Sequence, residues 1–483
     1  MRFRVTAAVA TILFASAASP VACFNRAASS RRSLPQGPKR QAFLAPTARN
    51  TVSSKISAEG GKHQGGGTAT IPNEIFNLVK SIIGAGVLSL PAGIAAFGNA
   101  PTALIPAIIL IAMMGIISAY TFSMIARVCS YTGATSYADA WDKTRGKRTA
   151  WIIAASSALD CFAGNLTYSM VLADTFKDLL VAIGITTTRS TALLSLTSVV
   201  LLPLCLVKNL SSLAPFSLLG IMGMAYTSIA IGIRFFDGSY AEPAGKFLVD
   251  LAPNMQPFYG SMGAMGAMNP KSLIFICMLS TAYIAHFNAP KFYNELKNNT
   301  MKRFNTVVTS SFGISVAVYA IVSAMGFLTF GGATAPLILN NYSTNDVLVS
   351  LSRFAVALSL VFSYPLLFVG TRDGLLDLIR VPESKRTNAF LNKLSVGLLA
   401  ILTGLALNIT DLTFVASMSG AVFGASLIFI FPTLMFRAAV KDMGDKATKG
   451  QKWESKLCSF IAAVGIAIGG IGARMAMKNV ALH

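Results

Sequence analysis

The sequence predicts an all-α polytopic membrane protein with about eleven transmembrane helices. Hydrophobic residues make up 54% of the 483-residue chain and charged residues only 12%, whereas about a quarter of the residues in a soluble domain are charged. The apolar residues form long runs, and a helix needs about 20 of them to cross a bilayer. We therefore number eleven predicted spans, at about 74–97, 102–128, 150–178, 191–207, 213–235, 271–289, 304–330, 346–370, 394–409, 411–436 and 457–476.

The positive charge of the chain is explained by membrane orientation. The formal net charge is +21, and residues 1–58 hold nine Lys or Arg and no Asp or Glu. Most of the other cations lie in the loops after spans 2, 6, 8 and 10. By the positive-inside rule, this predicts an inner mature N-terminus and an outer C-terminus. No basic patch is interleaved with aromatic residues, so we expect the lipid bilayer and no nucleic acid as a partner, with the oligomeric state open.

The N-terminal region reads as a targeting leader. Residues 1–23 have a basic start, an apolar stretch and a small-residue end, which is typical of a signal peptide, and residues 24–58 have the Ser-, Ala- and Arg-rich, acid-free composition of a transit peptide. Together they resemble the bipartite plastid leaders of algae with secondary plastids, which predicts a plastid envelope protein. The alternatives are an ordinary basic tail and an endomembrane or plasma-membrane location. A flexible Gly-rich linker, 59–73, precedes the transmembrane domain at 74–478.

Residues for covalent chemistry are not grouped in any recognisable pattern. The six cysteines lack metal-ligand spacing and a disulfide framework, and the three histidines are scattered. No nucleotide-binding loop, dinucleotide fingerprint or Ser/His/Asp arrangement occurs. The sequence therefore predicts no enzyme, no metal site and no organic cofactor.

Span 1, EIFNLVKSIIGAGVLSLPAGIAAF, contains residues that a plain membrane helix avoids. Gly84, Gly86 and Pro91 weaken its middle, because glycine costs about 1 kcal/mol against alanine in a helix and proline removes a backbone donor. Lys80 places a cation near them. One interpretation is a kinked helix that packs closely against a neighbour. The other is a helix that unwinds at Gly84–Gly86, whose free amides and carbonyls line a polar pocket, as in secondary transporters.

Span 6 is interrupted at the corresponding place of the second half. Its run SLIFICMLSTAYIAHFNAPKFYNEL contains Tyr283, His286, Asn288 and Pro290 in apolar surroundings. For His286 by itself, a hydrogen-bonded interfacial histidine is the plainer interpretation. In a fold of two inverted repeats, however, spans 1 and 6 are equivalent and both are discontinuous.

Three stretches carry a resemblance to a known family. FNLVKSIIGAGVLSLP at 76–91, AHFNAPKFYNELKNNTMKRFNTVV at 285–308 and the region of Pro365 resemble the amino acid/auxin permease family, part of the five-plus-five inverted-repeat APC superfamily. The resemblance implies a LeuT-type inverted repeat of spans 1–5 and 6–10 with broken helices 1 and 6, plus one extra C-terminal helix. It also implies secondary active transport of amino acids by alternating access.

The resemblance implies a substrate site as well. The α-carboxylate would be held by the exposed amides of Ile83, Gly84, Ala85 and Gly86, at the positive end of a helix fragment. GNLTYSMVLAD of span 3 resembles a family run in which an aromatic residue faces the substrate. The side chains expected to face the substrate are those of Ser81, Asn165, Tyr168, Tyr283, His286 and Ser363.

The coupling ion is predicted from one position at which this chain differs from the sodium-coupled members of the family. Sodium-coupled members resemble NLSNAIVGSG where this chain has NLVKSIIGAG, and proton-coupled members resemble LLKGNIGTG, with lysine at the position of Lys80. An ammonium has donors only and cannot coordinate Na⁺. We expect proton coupling through Lys80 and Asp160, which would approach as an ion pair or a relay. A snorkelling Lys80, a sodium-coupled neutral amino acid symporter and a non-transporting sensor are the alternatives.

Overall fold

The computed structural model describes residues 67–207 and 217–480, and the regular structure within them is helical apart from two isolated β-bridges. Within these described residues, eight helices are individually long and apolar enough to cross a membrane, and a bent helix pair in span 1 is a ninth. The remaining two predicted spans are the helices Ala150–Ala182 and Ser217–Phe236. The predicted helical architecture is therefore confirmed.

Each span keeps its predicted number. Spans 2, 3, 5, 7, 8, 9 and 11 centre on the helices Leu104–Thr132, Ala150–Ala182, Ser217–Phe236, Met301–Phe330, Val347–Leu378, Asn388–Asn408 and Lys449–Val480. Span 4 joins Arg189–Leu196, a π-helical turn at Thr197–Leu201, and Leu202–Leu206. Span 10 joins Leu412–Ser419, a π-helical stretch at Gly420–Ile430, and Phe431–Met443. A short helix, Tyr137–Arg145, lies between spans 2 and 3.

Spans 1 and 6 are interrupted, as predicted. Span 1 consists of Ile71–Ile82, a 3₁₀ segment at Ala85–Ser89, and Leu90–Ala95, with a bend of 44° between its halves. Span 6 consists of Ser272–Ala282, a 3₁₀ turn at His286–Asn288, and Ala289–Glu295. The halves on each side of a break can therefore present backbone groups that a continuous helix would use internally.

The start of the transmembrane domain differs slightly from the prediction. Helix 71–82 begins three residues earlier, with Pro72 in its first turn, where proline costs no helical hydrogen bond. Just before it, Ala69 pairs with the end of span 6, because its N–H donates to the Glu295 carbonyl at 3.0 Å and its carbonyl accepts from the Lys297 N–H at 2.9 Å. The last part of the predicted linker is thus tied to span 6. The leader and residues 59–66 lie outside the described residues.

Glycines let span 10 pack closely on its neighbours. A Cβ at Gly420 would collide with the Cys277 carbonyl of span 6, and one at Gly424 would crowd Ser280. On the other side, a Cβ at Gly465 of span 11 would meet Phe429 at 2.6 Å. The small residues of span 10 therefore serve helix packing, as is typical of membrane interfaces.

One buried arginine fastens the loop between spans 7 and 8. We call the side where this loop lies outer, following the loop charges. The Arg353 side chain of span 8 is 1% exposed and donates to the carbonyls of Leu339 at 2.7 Å, Tyr342 at 2.6 Å and Ser343 at 3.3 Å. Its Nε lies 3.3 Å from the Asp178 carboxylate of span 3. A buried charge is costly unless it is paired and hydrogen-bonded, and these three carbonyls and the Asp178 carboxylate offset that cost.

Further polar contacts attach the same loop to neighbouring segments. Arg234 of span 5 holds the Asp346 carboxylate with two hydrogen bonds of 2.8 and 2.7 Å, the bidentate geometry that arginine favours. In the preceding outer loop, hydrogen bonds from Asn345 and Ser343 keep the pKa of Asp250 below its ordinary value. The outer loops are therefore held to spans 3, 5 and 8 by charged contacts.

Replacing Arg353 will loosen this outer loop. We expect Arg353→Gln to cost on the order of 3 kcal/mol, because it leaves Asp178 without its ion-pair partner and three carbonyls without their charged donor. The measurement is the thermal unfolding midpoint in detergent, together with limited proteolysis at residues 338–346. Arg148→Gln, at an exposed position, is the control and should change neither. Equal midpoints for both variants would contradict this role of Arg353.

Candidate functional site

The break in span 1 is an extended segment between two helical pieces. Ile83 has φ −79° and ψ 99°, and Gly84 has φ −122° and ψ −170°. The Ile83 N–H still donates to the Val79 carbonyl at 2.7 Å, which closes the first helix. The chain then re-enters a helix at Ala85.

Three consecutive amides in this break have no acceptor. Among the residues that the structure describes, the N–H groups of Gly84, Ala85 and Gly86 donate no hydrogen bond. They lie at the N-terminal end of the second half of span 1, where the helix dipole is positive. Unpaired amides at such an end are suited to a carboxylate.

A small cavity adjoins this break. Its volume is about 50 Å³, which is enough for a few water molecules. It is lined by residues of spans 1, 3, 5 and 8, namely Lys80, Ser81, Ile83, Gly84, Ala85, Tyr168, Gly220, Ile221, Met224, Val356, Ser359, Leu360 and Ser363. Six of the ten residues predicted to bind substrate, together with Lys80, are thus brought to one place.

Neither backbone conformation nor packing explains the glycines of the break. Both lie outside the left-handed region, and a Cβ at Gly84 would meet only the Tyr168 hydroxyl at 3.9 Å, while one at Gly86 would meet nothing within 4 Å. The chain itself would therefore accept alanine at either position. What glycine preserves is open space beside the free amides.

Lys80 and Asp160 do not form the predicted ion pair in this structure. Among the described residues, Lys80 has no ion-pair or hydrogen-bond partner and lies on the cavity wall. Asp160, 8% exposed, is buried instead against Ser419 of span 10. The reason is that span 3 turns this carboxylate toward span 10, whereas span 1 turns Lys80 toward spans 5 and 8. The role of each residue in coupling stays a prediction.

The other predicted site residues lie outside the cavity lining. Asn165 donates to the Cys161 carbonyl at 3.1 Å and to Thr371 Oγ1 at 3.0 Å, so it joins spans 3 and 8. The ring of His286 is fully buried, with Nε2 3.0 Å from Thr121 Oγ1 and Nδ1 without a partner among the described residues.

Tyr283 and Gly86 complete the predicted set. The Tyr283 hydroxyl donates to the Ile111 carbonyl of span 2 at 3.1 Å. The Gly86 carbonyl accepts a hydrogen bond of 2.8 Å from Ser89, and Gly86 directly follows Ala85, which lines the cavity. Whether Tyr283, His286 and Asn165 contact a substrate stays a prediction.

Two residues outside the predicted site join the two broken spans. Asn288 of span 6 donates through Nδ2 to Ser81 Oγ of span 1 at 3.1 Å, and its Oδ1 is buried without a partner among the described residues. The hydroxyl of Tyr319 in span 7 reaches carbonyls of both broken helices. Asn288 was visible as a polar residue in an apolar run, whereas nothing in the sequence around Tyr319 distinguishes it from a core tyrosine.

The comparisons with known proteins agree with this architecture. Residues 67–475 match the family described as "Transmembrane amino acid transporter protein". The chain therefore belongs to this family of transporters, and it is not an enzyme. As a multi-pass protein of such a family, it resides in a membrane.

Individual relatives are distant but extensive. The chain is 24% identical to the Danio rerio protein named "Putative sodium-coupled neutral amino acid transporter 11", over 84% of this chain and 86% of that protein. It is 26% identical to "Amino acid transporter AVT6B" of Arabidopsis thaliana, over 85% and 90%. It is 27% identical to "Vacuolar amino acid transporter 7" of Saccharomyces cerevisiae, over 62% and 58%.

A solved structure shows the same fold. The crystal structure of MhsT in complex with L-phenylalanine aligns with 83% of this chain and 98% of that chain, with a TM-score of 0.51 and 13% sequence identity. This likeness concerns the fold alone. It agrees with the predicted inverted-repeat architecture.

The open space at Gly84 leads to a prediction about binding. We expect Gly84→Ala to leave the thermal unfolding midpoint unchanged, because the methyl group makes only ordinary contacts, and to weaken amino acid binding by at least about tenfold, since it fills the space beside the free amides. Equilibrium binding of radiolabelled amino acids to the purified protein measures the affinity.

Gly465→Ala is the matched control. Gly465 lies in span 11, and its added methyl group would press on Phe429 of span 10. Overpacking of this kind costs about 1–3 kcal/mol. We expect a lower unfolding midpoint with unchanged affinity. A stable Gly84→Ala variant that binds as tightly as the wild type would refute a substrate at these amides.

Proposed function

We propose that this protein carries neutral amino acids across its membrane by alternating access, coupled to protons. The observation that carries the proposal is the row of unpaired amides at Gly84, Ala85 and Gly86, which adjoins a cavity that also holds the Lys80 side chain. The amides and the positive helix end would bind the α-carboxylate. The relatives named above, which are amino acid transporters by name, support the same substrate class.

The lining of the cavity supports neutral substrates. Its side chains include Ile221, Met224, Val356 and Leu360, and its described part contains no Asp or Glu. A cationic substrate side chain would there lack a counter-ion, which is costly away from water. The cavity is too small for an amino acid in this state, so spans 1, 5 and 8 would have to separate for substrate to enter, as alternating access requires.

Lys80 would couple the proton to the substrate. A lysine removed from water releases its proton readily, and a carboxylate at the nearby amides would attract the protonated ammonium. Substrate and proton would then favour each other's binding, and the proton would leave on the side where the substrate is released. Asp160, buried against Ser419, is a second candidate for the proton path.

Sodium coupling is the alternative. The name of the Danio rerio relative supports it, and the hydroxyl-bearing residues Ser359 and Ser363 lie on the cavity wall. Lys80 on the same wall opposes it, because an ammonium would repel a sodium ion there. A sensor that binds amino acids without transporting them is the second alternative.

Transport under two separate gradients tests the coupling. In liposomes, we expect the wild type to accumulate neutral amino acids under a pH gradient, and Lys80→Met to lose at least about 90% of that accumulation, since methionine cannot carry the proton. The variant should still exchange amino acids down their own gradient. Lys147→Met, at an exposed loop position, should behave as the wild type does.

Three results would count against the proposal. Accumulation driven by a sodium gradient and retained in Lys80→Met would overturn proton coupling and make Lys80 a residue at the membrane surface. Accumulation under the pH gradient in Lys80→Met would remove Lys80 from the proton path. Binding without any transport would favour the sensor.

We also propose that residues 1–58 direct the chain to a plastid envelope, on the composition of the leader. A fluorescent protein fused after residue 58 should reach the plastid in an alga with secondary plastids. The same fusion starting at residue 24 lacks the signal-peptide part and should remain in the cytosol. Secretion of the full fusion would contradict plastid targeting.

A further inference from the structure

The Tyr319 hydroxyl of span 7 lies between the two broken helices. Its oxygen is 2.8 Å from the carbonyl oxygen of Ile82 in span 1 and 2.7 Å from that of Ala282 in span 6. The tyrosine side chain is fully buried. Both distances are those of good hydrogen bonds from a hydroxyl donor.

The two carbonyls occupy equivalent places in the two repeats. Ile82 is the last residue of the first helix of span 1, and Ala282 is the last residue of the first helix of span 6. A helix end leaves its last carbonyls without partners and carries the negative end of the helix dipole. The two negative ends therefore converge on a single hydroxyl group.

One proton serves two acceptors at this point. A tyrosine hydroxyl has one hydrogen to donate, so the two carbonyls share it in a three-centre bond or take it in turn. Water is scarce at this depth, and a buried carbonyl that loses its donor retains the full cost of its desolvation. The positions of both helix ends are therefore coupled through Tyr319.

Span 7 holds this hydroxyl in place along span 1. Ser311 donates to the Ile75 carbonyl at 3.3 Å, and a Cβ at Gly326 would press on Pro91 at 2.9 Å. Ser311, Tyr319 and Gly326 are eight and seven residues apart, which places them on one face of a helix. The Tyr319 ring also packs against Tyr283 in the break of span 6, with ring centroids 4.8 Å apart.

We propose that Tyr319 is a positioning residue for the substrate site, whose hydroxyl holds the broken helices of spans 1 and 6 in register. The inference rests on the proposed function for the identity of the bound substrate, though not for the register itself. With both helix ends joined to one oxygen, the free amides of span 1 keep a fixed place relative to span 6. Asn288, which donates to Ser81, joins the same two spans.

The test removes the hydroxyl and nothing else. Tyr319→Phe is compared with Tyr364→Phe, because Tyr364 is also fully buried and its hydroxyl makes one hydrogen bond, to Ser169 Oγ at 3.0 Å, between spans 3 and 8. Replacing Tyr319 by 4-aminophenylalanine restores a donor with two hydrogens. For each variant we would measure the unfolding midpoint and the affinity for radiolabelled neutral amino acids.

We expect Tyr319→Phe to weaken binding at least tenfold and Tyr364→Phe to change it less than threefold, at comparable losses of thermal stability. The 4-aminophenylalanine variant should bind within threefold of the wild type. Wild-type affinity in Tyr319→Phe, or equal weakening in both phenylalanine variants, would overturn the proposal, because a purely structural tyrosine predicts that result.

A second measurement does not need a substrate. Spin labels on Asn77→Cys and Lys271→Cys report the distance between the first helix of span 1 and that of span 6, since both positions are exposed. We expect Tyr319→Phe, and not Tyr364→Phe, to broaden this distance distribution. An unchanged distribution would refute the register role. If the wild type binds no amino acid, the proposed function fails while this measurement still decides the role of Tyr319.

Discussion

The central constraint on this protein is that a backbone polar group in a bilayer needs a partner. Two of its helices break in mid-membrane, and each break exposes carbonyls on one side and amides on the other. The carbonyls of Ile82 and Ala282 are satisfied by Tyr319. The amides of Gly84, Ala85 and Gly86 are left unpaired within the described residues. This asymmetry, with the two carbonyls satisfied and the three amides free, suits the break in span 1 to an anion.

The surrounding helices are built to hold these breaks without filling them. Glycines bring spans 10 and 11 into close contact with each other and with span 6. On the outer side, Arg353 and Arg234 attach the loop between spans 7 and 8 to spans 3, 5 and 8. A well-packed frame around a break with open space beside it is the arrangement expected of a carrier, because the open space gives the break room to change its contacts.

Much of the fold could be predicted from the sequence, because a membrane-spanning helix has a recognisable length and composition. Its length is set by the bilayer and its apolar run is nearly continuous, so the order of spans followed from composition. The break in span 1 could also be predicted, since Gly84, Gly86 and Pro91 destabilise a helix interior. Span 6 gave a weaker signal because polar residues, and no glycine pair, interrupt it.

The candidate site could be predicted from the sequence only in part. Ser81, Ile83, Gly84, Ala85, Tyr168 and Ser363 do meet around one cavity with Lys80. The ion pair between Lys80 and Asp160 is not formed, and sequence could not have excluded it, because depth in the membrane says nothing about which way a helix is turned. Rotation about a helix axis depends on packing against neighbours, and those contacts turn Asp160 toward Ser419.

By itself, then, the sequence determined which segments cross the membrane and where two of them break, because these properties depend on local hydropathy and backbone propensity. Only the tertiary structure decided which side chains meet. The pairing of Asn288 with Ser81, and of Tyr319 with two carbonyls more than 35 residues away along the chain, arises from contacts between spans. Such contacts depend on the rotation and depth of each helix, which no single stretch of sequence encodes.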